Sequence, residues 1–278
     1  MIRHENFPSR YIPPRHVEVW LPPGYESSDD RYPVLYMHDG QNCFHAADCA
    51  YGAAWEAQHA LARLVAAGQA RPAIIAGVWN IPARRVLEYR PSRPFLTLSE
   101  HARQRVLAGM GGPPASDDYL AFLVSELKPF MDATYRTRPG RDDTFVMGSS
   151  MGGLISLYAI CEYPDVFGGA GCVSTHWPAV EGVIVPYLRD RRPDPASHRL
   201  YFDYGTTTID TLYPPIQAQV DTLLTAAGYT RGDNWLTRVF PGAPHNEDAW
   251  QARVHIPLRF LLGEKRTTDF TDYTDSEK

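Results

Sequence analysis

No run of about 18 uncharged apolar residues occurs anywhere in the 278-residue chain, so a membrane-spanning helix is not expected. The opening MIRHENFPSRYIPPRHVEVW has neither the apolar stretch nor the small-residue cleavage site of a secretory signal, so the expected compartment is cytoplasmic. Basic residues are not in excess: Lys plus Arg total 27 against 32 Asp plus Glu, a net charge of −5. That excludes the electrostatic footprint of a partner such as nucleic acid or an anionic membrane. Cysteine is scarce. Cys43, Cys49, Cys161 and Cys172 form no CxxC pair. Cys43 and Cys49 read as free thiols rather than a loop disulfide or half a metal site, and Cys161 and Cys172 as small core residues. HExxH and Cys/His ligand sets are absent, so no metal is expected, and with no GxGxxG no dinucleotide cofactor is expected either. No internal repeat or compositional break divides the chain. It reads as one domain over residues 1–265 with a polar, acidic tail at 266–278.

What is present is ordinary globular material, 44 % hydrophobic and 21 % charged, with 24 prolines that imply long, shaped loops. Short apolar runs at 15–21, 33–38, 72–79, 144–147, 166–174, 199–205 and 235–240 read as strands. Helical spacing recurs at 53–67, 117–134 (with Ser116 as N-cap), 151–163, 214–228 and 245–262, the last with a kink at Pro257. Strands alternating with helices predict an α/β fold, a mainly parallel central sheet with helices on both faces. Residues 80–116 and 176–198 fit no element well and read as irregular excursions, the second with a short helix at most.

The strongest chemical signal is Gly148-Ser149-Ser150-Met151-Gly152-Gly153, between the strand TFVM and the helix LISLYAI. A serine nucleophile has to stand on a sharp strand-to-helix turn, where close backbones demand glycine. The N–H after it then faces the oxyanion that develops during acyl transfer. This phasing makes Ser150 the nucleophile and Met151 an oxyanion donor. A Gly/Ser-rich turn without chemistry is the competing reading.

Serine needs a base, and in this kind of fold the chain order is Ser, acid, His. His176, His198, His245 and His255 follow Ser150. His245 lies in the Pro/Gly loop FPGAPHNEDAW, which can carry an imidazole over the turn; His255 lies within a helix, His198 in a solvated stretch, and His176 is the rival. The acid belongs after RLYFDYG, where Asp203 and Asp210 are both candidates. A second oxyanion donor fits Gln41 in His38-Asp39-Gly40-Gln41-Asn42, with His38 and Asp39 shaping the loop.

Together, YPVLYMHDGQN, GSSMGGLISLY, YPDVFGGAGCVS, YFDYGTTTID and PHNEDAW resemble the Putative esterase family of α/β-hydrolases, which includes esterase D, feruloyl and acetyl-xylan esterases, siderophore esterases and mycolyltransferases. The resemblance runs from about His16 to Leu262. It implies the α/β-hydrolase fold, with Ser150 as nucleophile, His245 as base, Asp210 as acid and the N–H groups of Gln41 and Met151 as oxyanion hole. The stretch between Gly205 and Asp210 is longer than in the feruloyl esterases, which keeps Asp203 as the alternative acid.

The expected function is a serine carboxylesterase acting through an acyl-enzyme on a small-molecule ester of a small or medium acyl or aryl acid, on a sugar or siderophore. The rivals are acyl transfer on the same triad and a non-catalytic binding protein on the same scaffold. Both excursions are expected to overhang Ser150, with Trp79, Arg84, Arg85, Glu88, Tyr89, Arg90, His176 and Trp177 as candidate substrate contacts. The arginines suit an anionic or hydroxyl-rich substrate, or else form surface ion pairs. The oligomeric state is left open.

Overall fold

Four of the strands expected from apolar runs are buried along their whole length: β3 (Val34–His38), β4 (Ile74–Val78), β5 (Thr144–Ser149) and β6 (Gly169–Val173). Strands covered on both faces belong in the middle of a parallel sheet. The computed structural model, which describes residues 1–49, 52–180 and 183–263, puts them there. The tail expected at 266–278 lies outside the described residues. With β1 (Ile2–Phe7), β2 (Arg15–Trp20), β7 (Arg199–Gly205) and β8 (Trp235–Phe240), they form an eight-stranded sheet of order β1-β2-β4-β3-β5-β6-β7-β8. From β4 to β8 across the sheet every pairing is parallel, while β1 and β2 run antiparallel at one edge. β1, whose IRHENF lacks apolar alternation, is a strand that the sequence pattern does not show; it forms by pairing with β2, Ile2 opposite Val19.

Side chains alternate across the sheet, so Val34, Tyr36 and Val146 enter one core while Leu35, Met37, Phe145 and Met147 enter the other. The second core is closed by α1 (Ala57–Ala66), α10 (Glu247–Arg253) and α11 (His255–Leu262). The first is closed by α2 (Pro82–Tyr89), α5 (Ser116–Phe122), α6 (Lys128–Thr134), α7 (Met151–Glu162), α8 (Ile184–Arg191) and α9 (Pro214–Ala226). Residues 80–116 are helical rather than irregular: α2 is followed by α3 (Ser92–Thr97) and α4 (Glu100–Met110). Phe95, Leu98, Ala102 and Val106 make a small core of their own, with Val183 of the second excursion against it. This packing, absent from local periodicity, folds the segment.

Ser116 does not cap α5. Ala115 does, and the buried Ser116 hydroxyl instead receives the Ser92 N–H at 2.9 Å. Leu123–Leu127 forms a single π turn between α5 and α6, just ahead of Pro129, whose ring and missing N–H disturb a regular α turn. Pro257 acts upstream of itself. It cannot donate to the Arg253 carbonyl, so α10 ends at Arg253 and α11 begins at His255. All four cysteines are free thiols. Among the described residues no helix is long and apolar enough to cross a membrane.

Candidate active site

In a parallel sheet the loops that leave the strands' C-terminal ends gather at one edge. Here the loops after β3, β4, β5 and β8 line one cavity of about 620 Å³, and Ser150 and His245 both face it. Ser150 sits at φ 58°, ψ −120° as the residue before α7. A non-glycine residue held there is strained by about 1–3 kcal/mol, and the surroundings have to impose it. They do so from both sides. Ser150 N–H donates to Val173 O at 2.9 Å, and Ser150 O accepts from His176 N–H at 3.1 Å. The turn closes tightly enough that a Cβ on Gly148 would lie 2.9 Å from the Gly152 carbonyl carbon. Met151, the first residue of α7, has an N–H with no acceptor inside the helix.

His245 Nδ1 lies 2.5 Å from Asp210 Oδ1. Asp210 is fully buried and accepts two further bonds on Oδ2, from Gly205 N–H at 2.6 Å and Ser174 Oγ at 2.8 Å. Burial alone raises a carboxyl pKa. The hydrogen bonds from His245, Gly205 and Ser174 outweigh it, so Asp210 is held below its ordinary range. Asp203 is occupied elsewhere. It pairs with the buried Arg253 at 3.0 Å and accepts from Ser174 N–H and Tyr201 OH. The imidazole of His245 is packed edge-on by Trp250 at 4.9 Å and by Tyr213 at 5.9 Å.

The loop after β3 forms the facing wall. Asp39 takes the left-handed conformation (φ 57°) and Gly40–Asn42 make one 3₁₀ turn. A Cβ on Gly40 would lie 2.3 Å from the Gly77 carbonyl carbon, so only glycine lets this loop cross β4. Gln41 lines the cavity, and its side chain is pinned by the Asn80 N–H at 3.0 Å. Asp39 receives both Arg85 Nε and Nη2, at 2.9 and 2.7 Å, and Asn80 Nδ2 at 2.6 Å. Burial pushes the Asp39 carboxyl up, but the Arg85 charge and these bonds prevail and hold it low. Glu247, on the opposite wall, is pushed up by burial and by the charge of Asp39.

Of the eight candidate substrate contacts, only Arg85 lines this cavity. Trp79 turns away to the β1–β2 edge, stacking edge-on against His16 at 5.0 Å under Arg3. Glu88 is fully buried and holds Arg15 and Arg84, each at 2.9 Å. On α2, Arg84 and Glu88 share the face toward β2, while Arg85, one step round, faces the cavity. Tyr89 is buried beneath the loop, its hydroxyl accepting from Asp39 N–H at 3.2 Å. Arg90 is not in the lining, and Trp177 is a core residue packed near Phe202. His176 stands behind Ser150, with Nδ1 3.0 Å from Tyr213 OH. Burial first, then the charges of His245, Arg90 and Arg85, lower His176 to about 4, which keeps it neutral. No described residue of 176–198 lines the cavity. Pattern reading missed Asn80, Val86, Glu247 and Trp250, which do line it. Their only signal is position: Asn80 and Glu247 come just after β4 and His245, and Val86 and Trp250 lie on the helices that follow, α2 and α10. Among the described residues no group of three or more His, Cys, Asp or Glu is placed to hold a metal ion.

Known proteins share this architecture. The chain is 26 % identical over 263 residues to the protein YbbA of Bacillus subtilis (strain 168), covering 91 % of this chain and 95 % of that protein. An IroE-like serine hydrolase from Shewanella oneidensis superposes with a TM-score of 0.71 at 18 % identity, over 94 % of this chain and 79 % of that one. A ferulic acid esterase superposes with a TM-score of 0.68 at 19 % identity, over 94 % and 97 %. At such identities the structural likeness speaks for the fold, the α/β-hydrolase sandwich described above. The sequence itself matches the model of one family, described as Putative esterase, over residues 12–267, nearly the whole chain, and the protein belongs to that family.

Proposed function

We propose that the protein is a serine carboxylesterase that works through an acyl-enzyme. The observation that carries this reading is the strained Ser150 facing His245 across one cavity, with His245 Nδ1 on the buried Asp210. An ionised carboxylate can only accept, so Nδ1 carries the proton and Nε2 is left as the acceptor. In this reading His245 Nε2 takes the Ser150 hydroxyl proton as Oγ attacks the ester carbonyl. Gln41 N–H and Met151 N–H stabilise the oxyanion, and the imidazolium protonates the leaving alcohol. Water, activated by the same imidazole, then releases the acid. Asp210 keeps the imidazole in the right tautomer and balances its charge.

The cavity favours a neutral, hydroxyl-bearing ester over an anionic one. Among the described residues its one lining arginine, Arg85, is paired with Asp39, and the other carboxyl groups of the lining are Glu247 and Asp248. Arg84 and Arg90, the other candidate contacts for an anion in the first excursion, lie outside the lining. The ferulic acid esterase among the structural relatives is in keeping with an aryl ester.

Hydrolysis of p-nitrophenyl acetate and butyrate, by the wild type beside Ser150→Ala and His245→Ala, tests the mechanism. Each substitution is expected to lower kcat by roughly 10³-fold or more, and a fluorophosphonate is expected to label the wild type at Ser150. A wild type that neither turns over nor labels rules the reading out. An ester carrying a carboxylate is expected to turn over more slowly than its neutral analogue.

A further inference from the structure

Ser174 is a fully buried hydroxyl that the proposed reaction does not use. It follows β6 at φ 40°, a conformation that glycine adopts more easily, so its side chain has to be worth the strain. Its hydroxyl has one proton and two lone pairs. Arg253 Nη2 donates to Ser174 Oγ at 2.8 Å and Trp250 Nε1 donates to it at 3.1 Å. Neither donor can accept, so both lone pairs are taken and the proton has one destination, Asp210 Oδ2 at 2.8 Å.

Arg253 is itself fixed. Asp203 grips its Nε and Nη2 at 3.3 and 3.0 Å, and Asp203 is held by Tyr201 OH at 2.8 Å. Trp250 packs edge-on against His245. A single buried chain therefore runs from Tyr201 through Asp203, Arg253 and Ser174 to Asp210 and His245.

We propose that Ser174 is a positioning residue whose hydroxyl, locked by Arg253 and Trp250, donates its only proton to Asp210 and keeps that carboxylate ionised and aimed at His245. The proposal rests on the serine-esterase reading for its kinetic consequence, but not for its electrostatic one. A carboxylate that loses one of its donors binds a proton more readily. The Asp210 carboxyl should then titrate at higher pH.

Ser174→Gly removes the hydroxyl while relieving the backbone, and Ser174→Ala removes it while keeping the Cβ. NMR titration of the Asp210 carboxyl carbon needs no substrate. In both variants it is expected to move upward by roughly half a pH unit or more. In the ester assay kcat is expected to fall roughly 10- to 100-fold with KM little changed. A purely structural serine would lower the melting temperature and leave the titration and kcat alone. An unchanged titration in Ser174→Gly overturns the proposal. A shifted titration in a protein that hydrolyses no ester leaves the relay standing and removes the esterase reading instead.

Discussion

Asp203 and Asp210 are both buried, yet they do different work because their partners differ. Asp203 faces the fixed charge of Arg253, which is itself out of water. Removing one member of such a pair strands the other, at a cost of about 3–5 kcal/mol. Asp210 faces an imidazole that opens onto the cavity. Asp203→Asn is therefore expected to lower unfolding stability by about 3–5 kcal/mol, read from the urea midpoint. Asp210→Asn is expected to lower kcat roughly 10³- to 10⁴-fold, because an amide can donate to Nδ1 and stabilise the wrong tautomer. Its urea midpoint should move less than that of Asp203→Asn. The reverse pattern would make Asp203 the acid.

At the scale of elements, the loop after β3 depends on Gly40. The Cβ that alanine would add lies 2.3 to 2.6 Å from backbone atoms of Gly77 and Val78, which cannot rotate aside. Gly40→Ala is expected to destabilise the protein by about 1–3 kcal/mol and to lower kcat more than KM, since Gln41 moves with the loop. Gly140→Ala, where a Cβ meets open space, is the control and should change neither in denaturation and ester assays. The sequence made this loop legible, as it did the elbow at Ser150 and β7 and β8 to the residue, because each is set by local spacing and by glycine. It left the acid open between two aspartates, since both are buried and only their partners, a guanidinium for Asp203 and an imidazole for Asp210, tell them apart, and neither partner is written locally. The pocket wall was the least legible. Arg84, Arg85 and Glu88 look alike in a list of polar residues, and only the 100° step along α2 separates the ion pair with β2 from the cavity. Residues 80–116 read as irregular because their helices are held by a satellite core rather than by their own periodicity.

For the molecule as a whole, burial lowers His4, His38, His176 and His255, and the two with the largest shifts, His38 and His176, lead its response to mild acid. Burial is the main cause lowering His38, to about 3, and His176, to about 4. Both stay neutral in the fold and take up a proton near pH 6.5 when it unfolds. Stability that is complete above about pH 6.5 is lost as pH falls toward their folded values, by up to about 1.4 kcal/mol per pH unit for each. Asp39 and Asp210, whose folded values lie below the ordinary carboxylate range, add their loss only below about pH 4, whereas the raised Glu247 and Asp221 work in the opposite direction. Urea unfolding at pH 7 and pH 5 is expected to show the loss, and His38→Gln should flatten it. An equal slope in that variant would place the acid sensitivity elsewhere. The turn after β6 has a further consequence for how such a molecule can vary. Residues 173–176 hold both flanks of the Ser150 peptide and, through Ser174, the carboxylate of Asp210. One short span thus serves as the jig to which Ser150 and Asp210 are both clamped. The helices that build the walls are not part of it, so they can lengthen, shrink or change charge to suit a new ester while the working distances stay set.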